Sequence, residues 1–389
     1  DTVPEKKQHF EDYICDDALG GGPYKIRCSM WREGEVVIFD FDGTDPQSPG
    51  SINFLMNEEM FKMFCGTFMI SAFDPQILFN DGFYDYIDVR IPDGCLLKPN
   101  RPAALSCRTH ALGRIFDVLS GLLGQGNPDF LCGAGFSDSP HFMYSGHDKN
   151  GEWYQLYQIG FGGIPARPMG DGPDGHSLWP GFKNVPNEFL EAYFPLRIET
   201  FESITDSGGA GYHRGGNGIR MAYHFLEDGE ISIHDDRWLT YPWGVNGALP
   251  GQRSTKEITR ADGSTEFLPS KCDRVAVQNG DILYFNTWGG GGVGEPLTRE
   301  PARVLEDVLA GLVSLEAANK NYGVVITNDI VDEIQTTRLR KEQMDGKPIT
   351  DKLFNFGGDV EEIRARCLAE TGIEPPKAPD FSKVKRAAR

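Results

Sequence analysis

The segment ISIHDDR at residues 231–237 places a histidine and a carboxylate where they can act together. Residues two apart on a strand project from the same face, so His234 and Asp236 are predicted to lie side by side, with Arg237 close to them. Such a pair can transfer protons or bind a metal ion. It can equally form a local hydrogen bond, which is the interpretation we favour because the spacing shows no third metal ligand. His234, Asp236 and Arg237 are therefore candidate catalytic residues with a structural alternative.

Two glycine-rich segments could bind an anion through backbone amides. The first, DSGGAGYHRGGNG at residues 206–218, also carries Asp206, His213 and Arg214, and the second is WGGGGVGEP at residues 288–296. Successive amides in such loops can point at an anion, and the planar guanidinium of Arg214 suits a carboxylate or phosphate. Close packing of strand against strand also demands glycine, so both interpretations stay open. The anion hypothesis adds Asp206 and His213 as catalytic candidates and uses Arg214 with Gly208, Gly209, Gly211, Gly215, Gly216, Gly290, Gly291 and Gly292.

The loop GDGPDGHS at residues 170–177 is a weak candidate for a metal site. Asp171, Asp174 and His176 offer the oxygen and nitrogen ligands that divalent metals use. Aspartate and glycine are also ordinary turn formers, so the segment predicts a turn as readily as a metal site.

A phosphatase hypothesis rests on VVIFDFDGT at residues 36–44. A hydrophobic strand that leads into Asp40 and Asp42 resembles the nucleophile loop of haloacid-dehalogenase-type phosphatases. Those enzymes need a further acidic residue, and in GDILYFN the position within range is Asn286. The short motif is therefore a remote alternative, and an Asp-Gly turn at the end of a half-exposed strand is favoured.

The overall composition limits the classes of function. With 389 residues and a net charge of −19, the chain would repel nucleic acid and anionic membranes, and no apolar run is long enough to span a bilayer. The eight cysteines are scattered without a CxxC pair, which predicts reduced, mostly buried thiols and a cytoplasmic protein. Neither glycine segment has a phosphate-loop or dinucleotide-binding signature, so we predict no nucleotide site in this chain.

The elements that must position these residues can be predicted from hydrophobic periodicity and capping signals. In chain order they are a strand at 35–41, a helix after Asn57, a strand at 86–92, a helix ending near Gly124, a strand at 280–288, a helix from Pro301, a helix capped by Ser314 and a strand at 322–326. Residues 130–250 are predicted to be rich in strands and loops. We therefore expect an α+β fold with mixed or antiparallel sheets, flanking helices and glycine-rich loops.

The predicted organisation has three parts. Residues 1–34 form an N-terminal lead-in, residues 35–327 form the core, and residues 328–389 form a charged helical extension. The last segment, residues 375–389, is expected to be a surface arm.

Taken in order, seven segments resemble the B-type polypeptide of hydantoinases and 5-oxoprolinases, a family that also supplies a subunit of acetone and acetophenone carboxylases. The segments are DFDGTDPQSPGSIN (40–53), NDGFYDYIDVRIPDGCLLKPNRPAAL (80–105), NVPNEFLEAYFPLRI (184–198), DSGGAGYHRGGNG (206–218), HDDRWLTYPWGVNG (234–247), GDILYFNTWGGGGVGEPL (280–297) and GLVSLEAANKNYGVVI (311–326). An ordered series is far more specific than any single motif. Because GTDPQ is the family's own continuation of the strand, the resemblance argues against the phosphatase.

The resemblance implies an ATP-dependent assembly. A separate actin-like, hydantoinase-A-type partner would bind ATP and phosphorylate the substrate, with a small third subunit in some assemblies. This chain would then complete carbon–carbon bond formation from a ketone and bicarbonate, or hydrolysis of a cyclic amide. The insertions SDSPHFMYSG and GHSLWPGF favour the ketone carboxylases, with the cyclic amide hydrolases as the close alternative and a non-catalytic scaffold as a third.

Family members of this type are usually longer, with a preceding segment whose His and Asp residues bind a divalent metal such as Mn or Zn. The sequence is therefore expected to be a fragment, a split subunit or a processed chain, with those metal ligands outside it. A smaller departure is GVGEP, where an aromatic residue and Asp are commoner in the family.

Overall fold

The computed structural model describes residues 3–78, 80–136, 140–177, 182–346 and 352–381. The α-helices in these ranges are α1 (Glu58–Ala72), α2 (Arg108–Gly126), α3 (Asn187–Tyr193), α4 (Pro301–Leu309), α5 (Leu315–Tyr322), α6 (Glu333–Asp345) and α7 (Val360–Thr371). The strands are β1 (Gln8–Ile14), β2 (Tyr24–Glu33), β3 (Val36–Asp40), β4 (Ile87–Arg90), β5 (His141–His147), β6 (Trp153–Ile159), β7 (Leu196–Ser203), β8 (Ile219–Phe225), β9 (Gly229–His234), β10 (Gly244–Val245), β11 (Thr255–Thr259), β12 (Thr265–Leu268), β13 (Lys271–Val277), β14 (Ile282–Asn286), β15 (Ile326–Thr327), β16 (Ile330–Val331) and β17 (Phe354–Asn355).

The first sheet has the strand order β1-β2-β3-β4 and carries helices α1 and α2. Its first three strands are antiparallel, and β4 runs parallel to β3 after the long connection through α1. Aromatic residues fill the space between sheet and helices: Phe39 of β3 lies edge-on to Phe61 of α1 with ring centroids 5.0 Å apart. Phe116 of α2 is completely buried in the same core. This layer holds the N-terminus of α2 in place.

Two antiparallel sheets pack face to face and enclose a second core. One has the order β12-β11-β14-β8-β7 and the other the order β13-β9-β5-β6. Between them Phe142 of β5 stacks on Tyr223 of β8 with centroids 4.4 Å apart, and Ile231 of β9 is fully buried. The α+β architecture with antiparallel and mixed sheets is confirmed.

Local signals located most of the predicted helices correctly. The side chain of Asn57 accepts a hydrogen bond from the Met60 amide at 2.7 Å and begins α1, as its type predicts. Ser314 caps α5 in the same way. The predicted strand at 322–326 is wrong, because Tyr322 is the last residue of α5 and Gly323 ends that helix with a φ of 62°.

The N-terminal segment is part of the first sheet rather than a separate lead-in. Strands β1 and β2 pair along their whole length, and Ile14 and Ile26 are completely buried. The predicted boundary at residue 34 therefore lies in the turn between β2 and β3.

The C-terminal segment also packs onto the body of the molecule. Strand β17 pairs with β10, and Phe354 lies 5.1 Å from the Trp243 ring and 4.8 Å from the Phe10 ring, centroid to centroid. The helical content predicted after residue 328 is present as α6 and α7. Of the predicted surface arm at residues 375–389, the described part contacts the body: the Gly22 amide donates to the Lys377 carbonyl at 2.8 Å, and the Phe381 ring lies 6.1 Å from the Tyr24 ring. Residues 382–389 lie outside the described residues.

All eight cysteines are free thiols, and six of them are buried, as their scattered positions predict. Within the described ranges, no helix combines the length and the apolar character needed to cross a membrane.

Candidate active site

A buried thiol stands at the start of the long helix α2. Cys107 is the N-cap residue of this 19-residue helix, and only 2% of its surface is exposed. The Ser51 hydroxyl donates a hydrogen bond to the Cys107 Sγ at 3.1 Å. Because the N-terminal end of a helix carries partial positive charge, this position favours a thiolate.

Two imidazoles reinforce that preference. His110, in the first turn of α2, and His234, the last residue of β9, both act on the Cys107 thiol and lower its pKa. Burial alone would raise the pKa of Cys107, but the two histidines and Ser51 outweigh burial and lower this pKa to about 5. The side chain is therefore mainly a thiolate at neutral pH, which is the nucleophilic form of cysteine.

The thiol opens onto a polar cavity of about 440 Å³ between the loops that carry Leu19, Ser51 and Ser106 and the sheet that contains β9. That volume is within the range of small-molecule sites. The lining residues are Ala18, Leu19, Ser51, Ser106, Cys107, Met143, Ser145, Gln155, Glu230, Ser232, His234, Lys271, Cys272 and Asp273. A thiolate, an imidazole, hydroxyls and carboxylates around one space are suited to nucleophilic and acid–base chemistry on a small polar molecule.

Behind the cavity, Asp236 anchors a buried network of charges. Its carboxylate accepts hydrogen bonds from the Lys271 Nζ at 2.9 Å, the Cys15 amide at 3.0 Å and the Arg114 guanidinium. Burial alone would raise the pKa of Asp236, but Lys271 and Arg114 outweigh it and hold this pKa well below its usual range. Asp236 therefore stays charged and holds Lys271 at the cavity wall.

Arg237 belongs to the same network but does not line this cavity. Its Nη2 binds Asp12 at 2.6 Å and Asp117 at 2.8 Å, and the whole side chain is buried. Of the three residues predicted from ISIHDDR, the structure thus places His234 at the cavity, Asp236 directly behind it and Arg237 in the interior. The interpretation favoured from sequence, a purely structural hydrogen-bonding role, fits the buried Arg237. His234, by contrast, lies on the wall of the cavity.

Cys107 and His110 were not predicted to belong to the site. They lie more than a hundred residues before His234, and single-sequence spacing cannot join such distant positions. A signal was nevertheless present in the motif CRTH at residues 107–110, which puts a cysteine and a histidine three apart at the start of a predicted helix. Residues three apart on a helix share a face, and a cysteine at a helix N-terminus is electrostatically activated.

The predicted anion loops are packed against each other. The Gly215 amide donates to the Gly209 carbonyl at 2.9 Å, the Gly209 amide to the Gly290 carbonyl at 2.8 Å, and the Gly290 amide to the Gly216 carbonyl at 2.8 Å. The amides of Gly208, Gly216, Gly291 and Gly292 likewise donate to acceptors within the protein. We call these residues, with Gly211, the glycine layer. The amides of the other seven residues donate within the protein, as the close-packing alternative predicts.

Arg214 binds carboxylates of its own chain. Its guanidinium pairs with both oxygens of Asp174, at 2.7 and 2.9 Å, and its Nε lies 3.2 Å from Asp307. His213 is next to this group, with its Nδ1 3.6 Å from an Asp171 oxygen, and burial lowers its pKa. The predicted anion-binding guanidinium is thus an internal ion-pair partner.

The carboxylates of the candidate metal loop at residues 170–177 are paired with arginines. Asp171 is bound by the Arg299 guanidinium at 2.8 Å and Asp174 by Arg214, while the His176 Nδ1 contacts the Ser177 carbonyl at 2.7 Å. Carboxylates neutralised by arginines are poor metal ligands. Among the described residues, no group of three or more His, Cys, Asp or Glu side chains is arranged to bind a metal ion.

Asp206, the remaining candidate, has a structural contact outside the cavity. Its carboxylate accepts a hydrogen bond from the Ser314 amide at 2.8 Å, just before helix α5, and the residue has a φ of 65°. It connects the glycine layer to the following helix.

Comparison with known proteins assigns the fold to a family. A family model described as hydantoinase B/oxoprolinase matches residues 1–296. The chain belongs to this family. The B-type subunit of a putative D-/L-hydantoinase from Pseudomonas sp. (strain NS671) is 28% identical over 345 residues, which cover 85% of this chain and 57% of that relative.

Two solved structures share the hydantoinase B fold of this chain. The ATP-dependent caprolactamase from Pseudomonas jessenii has a TM-score of 0.73 at 24% identity, covering 87% of this chain and 60% of that one. A nucleotide-free acetone carboxylase has a TM-score of 0.72 at 18% identity, covering 90% and 54%. The chain therefore spans somewhat more than half the length of these relatives.

Family membership also removes the phosphatase alternative. Asp40 ends β3, which pairs antiparallel with β2, and an Asp40 oxygen accepts a hydrogen bond from the Asp42 amide at 3.0 Å. The two aspartates therefore form the Asp-Gly turn that was favoured from the sequence.

Proposed function

We propose that this chain is the hydantoinase-B-type part of an ATP-dependent enzyme that opens cyclic amides, with the Cys107 cavity as its reaction site. The names of relatives support the reaction: one is part of a putative hydantoinase, and a protein of the same fold is an ATP-dependent caprolactamase. The observation that carries the choice of cavity is that Cys107, at the start of α2, and His234, at the end of β9, line one polar space.

The groups around the cavity fit the needs of amide cleavage. The departing nitrogen must receive a proton, and His234 can supply it from the cavity wall. Negative charge develops on the carbonyl oxygen during attack, and the N-terminus of α2 together with Lys271 favours negative charge there.

We infer that ATP and its partner protein act from outside this chain. The hydantoinase relative is named as one subunit of its enzyme, which supports a second polypeptide here as well. We propose that this partner is the actin-like, hydantoinase-A-type ATP-binding protein, with a small third subunit in some assemblies. A divalent metal such as Mn or Zn would be held by residues outside this chain. The assembly is proposed to work in the cytoplasm.

A ketone carboxylase is the second candidate, supported by the fold shared with acetone carboxylase. In that reaction an enolate attacks activated bicarbonate, and an imidazole such as His234 would remove the proton that forms the enolate. The sequence segments that favoured this branch, at 137–146 and 175–182, lie partly outside the described residues. We place cyclic amide opening first because the hydantoinase relative matches 85% of this chain in sequence, whereas the support from acetone carboxylase is a shared fold.

The test is substrate-dependent ATP consumption by the reconstituted complex. The chain would be co-expressed with a hydantoinase-A-type ATP-binding protein, and ADP release measured with hydantoin, 5-oxoproline or caprolactam. Parallel reactions would contain acetone or acetophenone with bicarbonate. We expect a cyclic amide to stimulate ADP release without bicarbonate, whereas bicarbonate-dependent stimulation by a ketone would establish the carboxylase instead.

A pair of matched histidine variants tests the role of the cavity. His234→Gln should reduce turnover by about 10²–10⁴-fold, the usual contribution of a general acid or base, while the complex stays assembled. His224→Gln is the control, because His224 is also half-buried but pairs with Glu199 on another sheet. Full turnover in His234→Gln would support the scaffold alternative for this chain.

A further inference from the structure

We propose that Cys107 is the nucleophile of this site and carries the acyl group of the opened amide as a transient thioester. The inference rests on the proposed function and goes beyond it by naming a covalent intermediate and the atom that bears it. It starts from three features of the fold: a helix N-terminus at Cys107, a hydrogen bond from Ser51 to its sulfur atom, and a polar cavity that Cys107 and His234 both line.

The position of the sulfur is that of an activated nucleophile. The N-terminal end of α2 places partial positive charge at Cys107, and Ser51 donates a hydrogen bond to the sulfur at 3.1 Å. His234 of β9 lines the same cavity as Cys107, and His110 follows in the first turn of α2. A nucleophile with an adjacent base that is held by a second element is the general arrangement of covalent catalysis.

The charged groups that face this sulfur come from every element around it. His110 lies on α2, His234 on β9 and Lys271 on β13, and the carboxylates Glu230 and Asp273 line the same cavity. Lys271 is held by Asp236, so its positive charge stays at the wall. Lys271 supplies a positive charge on the wall of the cavity that Cys107 lines, which favours a thiolate and the oxyanion that follows its attack.

The reaction balances with the groups on hand. The thiolate attacks the carbonyl carbon, a carbon–sulfur bond forms, and the ring carbon–nitrogen bond breaks as nitrogen takes a proton from an imidazolium. Water then attacks the thioester carbon and gives a proton to that imidazole. The carbon–sulfur bond breaks, which releases the carboxylic acid and restores the thiolate.

The other cysteines provide internal references for a reactivity test. Cys272 lines the same cavity, but burial raises its pKa to about 12, and Cys65 is half-buried in the first core. The full chain would be treated with iodoacetamide between pH 6 and pH 8, and each cysteine peptide quantified by mass spectrometry. The alkylation rate of Cys107 should change less than about twofold over this range, whereas an ordinary thiol gains roughly tenfold per pH unit.

Two variants separate activation from mere exposure. His234→Gln should restore a pH-dependent rate at Cys107, because one of the groups that lower the pKa of Cys107 is lost. His224→Gln, on another sheet and paired with Glu199, should leave the Cys107 profile unchanged. A Cys107 rate that rises tenfold per pH unit in the wild-type chain would overturn the proposal.

Acyl transfer is tested with p-nitrophenyl acetate as the probe. We expect one acetyl group on Cys107, removable by hydroxylamine and lost over time, and none on Cys107→Ser. Circular dichroism would check that the variant is folded. Alkylation without acetylation would also overturn the covalent step. Neither result depends on ATP or a partner, so a failure here is distinct from a failure of the proposed function.

Discussion

Replacing Gly215 by alanine should unfold the centre of the molecule. A Cβ at this position would lie 1.9 Å from the Gly290 carbonyl oxygen and 2.4 Å from the Gly290 carbon. Real contacts of this kind are above 3.0 Å, so the two backbone segments would have to separate by about 1 Å. Neither atom belongs to a flexible side chain that could rotate away.

The cost of that separation follows from the hydrogen bonds beside it. The Gly209 amide donates to Gly290 at 2.8 Å and the Gly215 amide to Gly209 at 2.9 Å, and both bonds would be stretched beyond use. Each buried group left unsatisfied costs about 1–3 kcal/mol, and overpacking adds about 1–3 kcal/mol. The sum of about 3–9 kcal/mol is comparable with the whole stability of a typical domain, about 5–15 kcal/mol.

The assay is urea unfolding followed by circular dichroism, with Gly170→Ala as the matched control. A Cβ added to Gly170 would meet no atom within 4 Å, and the residue has no positive φ, so its variant should unfold within about 0.5 kcal/mol of the wild type. Gly215→Ala should be insoluble or unfold at a much lower urea concentration. If the two variants unfold alike, the close packing of the glycine layer is refuted.

Two further predictions concern the buried charges and the thiol. Arg237→Met removes the guanidinium shared by Asp12 and Asp117, and should lower the free energy of unfolding by about 3–5 kcal/mol in urea titrations, whereas an unchanged midpoint would contradict the network. The lowered pKa of Cys107 stabilises the folded state above the pKa of the unfolded chain, and this contribution is lost as the pH falls through about 5. The stability advantage of the wild type over Cys107→Ser should therefore shrink between pH 7.5 and pH 5, and a pH-independent difference would exclude a native thiolate.

The helices could be predicted from the sequence because their capping residues and apolar periodicity are local signals. Asn57 caps α1 by accepting a hydrogen bond from the amide of Met60, three residues later in the chain. The apolar residues of α2 recur at helical spacing within the same segment. The pairing of β17 with β10 could not be predicted from the sequence, because it joins two-residue strands more than a hundred positions apart. Short apolar segments become strands only when a distant partner accepts their hydrogen bonds.

The candidate site was found only in part, for a related reason. The alternation of ISIHDDR predicted the strand face of His234, and the structure places this residue at the end of β9 on the cavity wall. Whether Arg214 faced solvent or an internal carboxylate depended on Asp307, 93 residues further along. The glycine segments posed the same problem, because the need for small residues is identical whether an anion or another backbone comes close.

The glycine layer has a consequence for how the chain reaches its native state. The Trp288 indole donates to the Gly135 carbonyl across 153 residues, so the stretches that meet here are far apart in sequence. Bringing such distant parts of the chain together has a large entropic cost of loop closure, and this cost slows folding. The contacts of the glycine layer should therefore form late, after the sheets have formed. If the chain is cut between residues 135 and 288, neither fragment should become compact without the other.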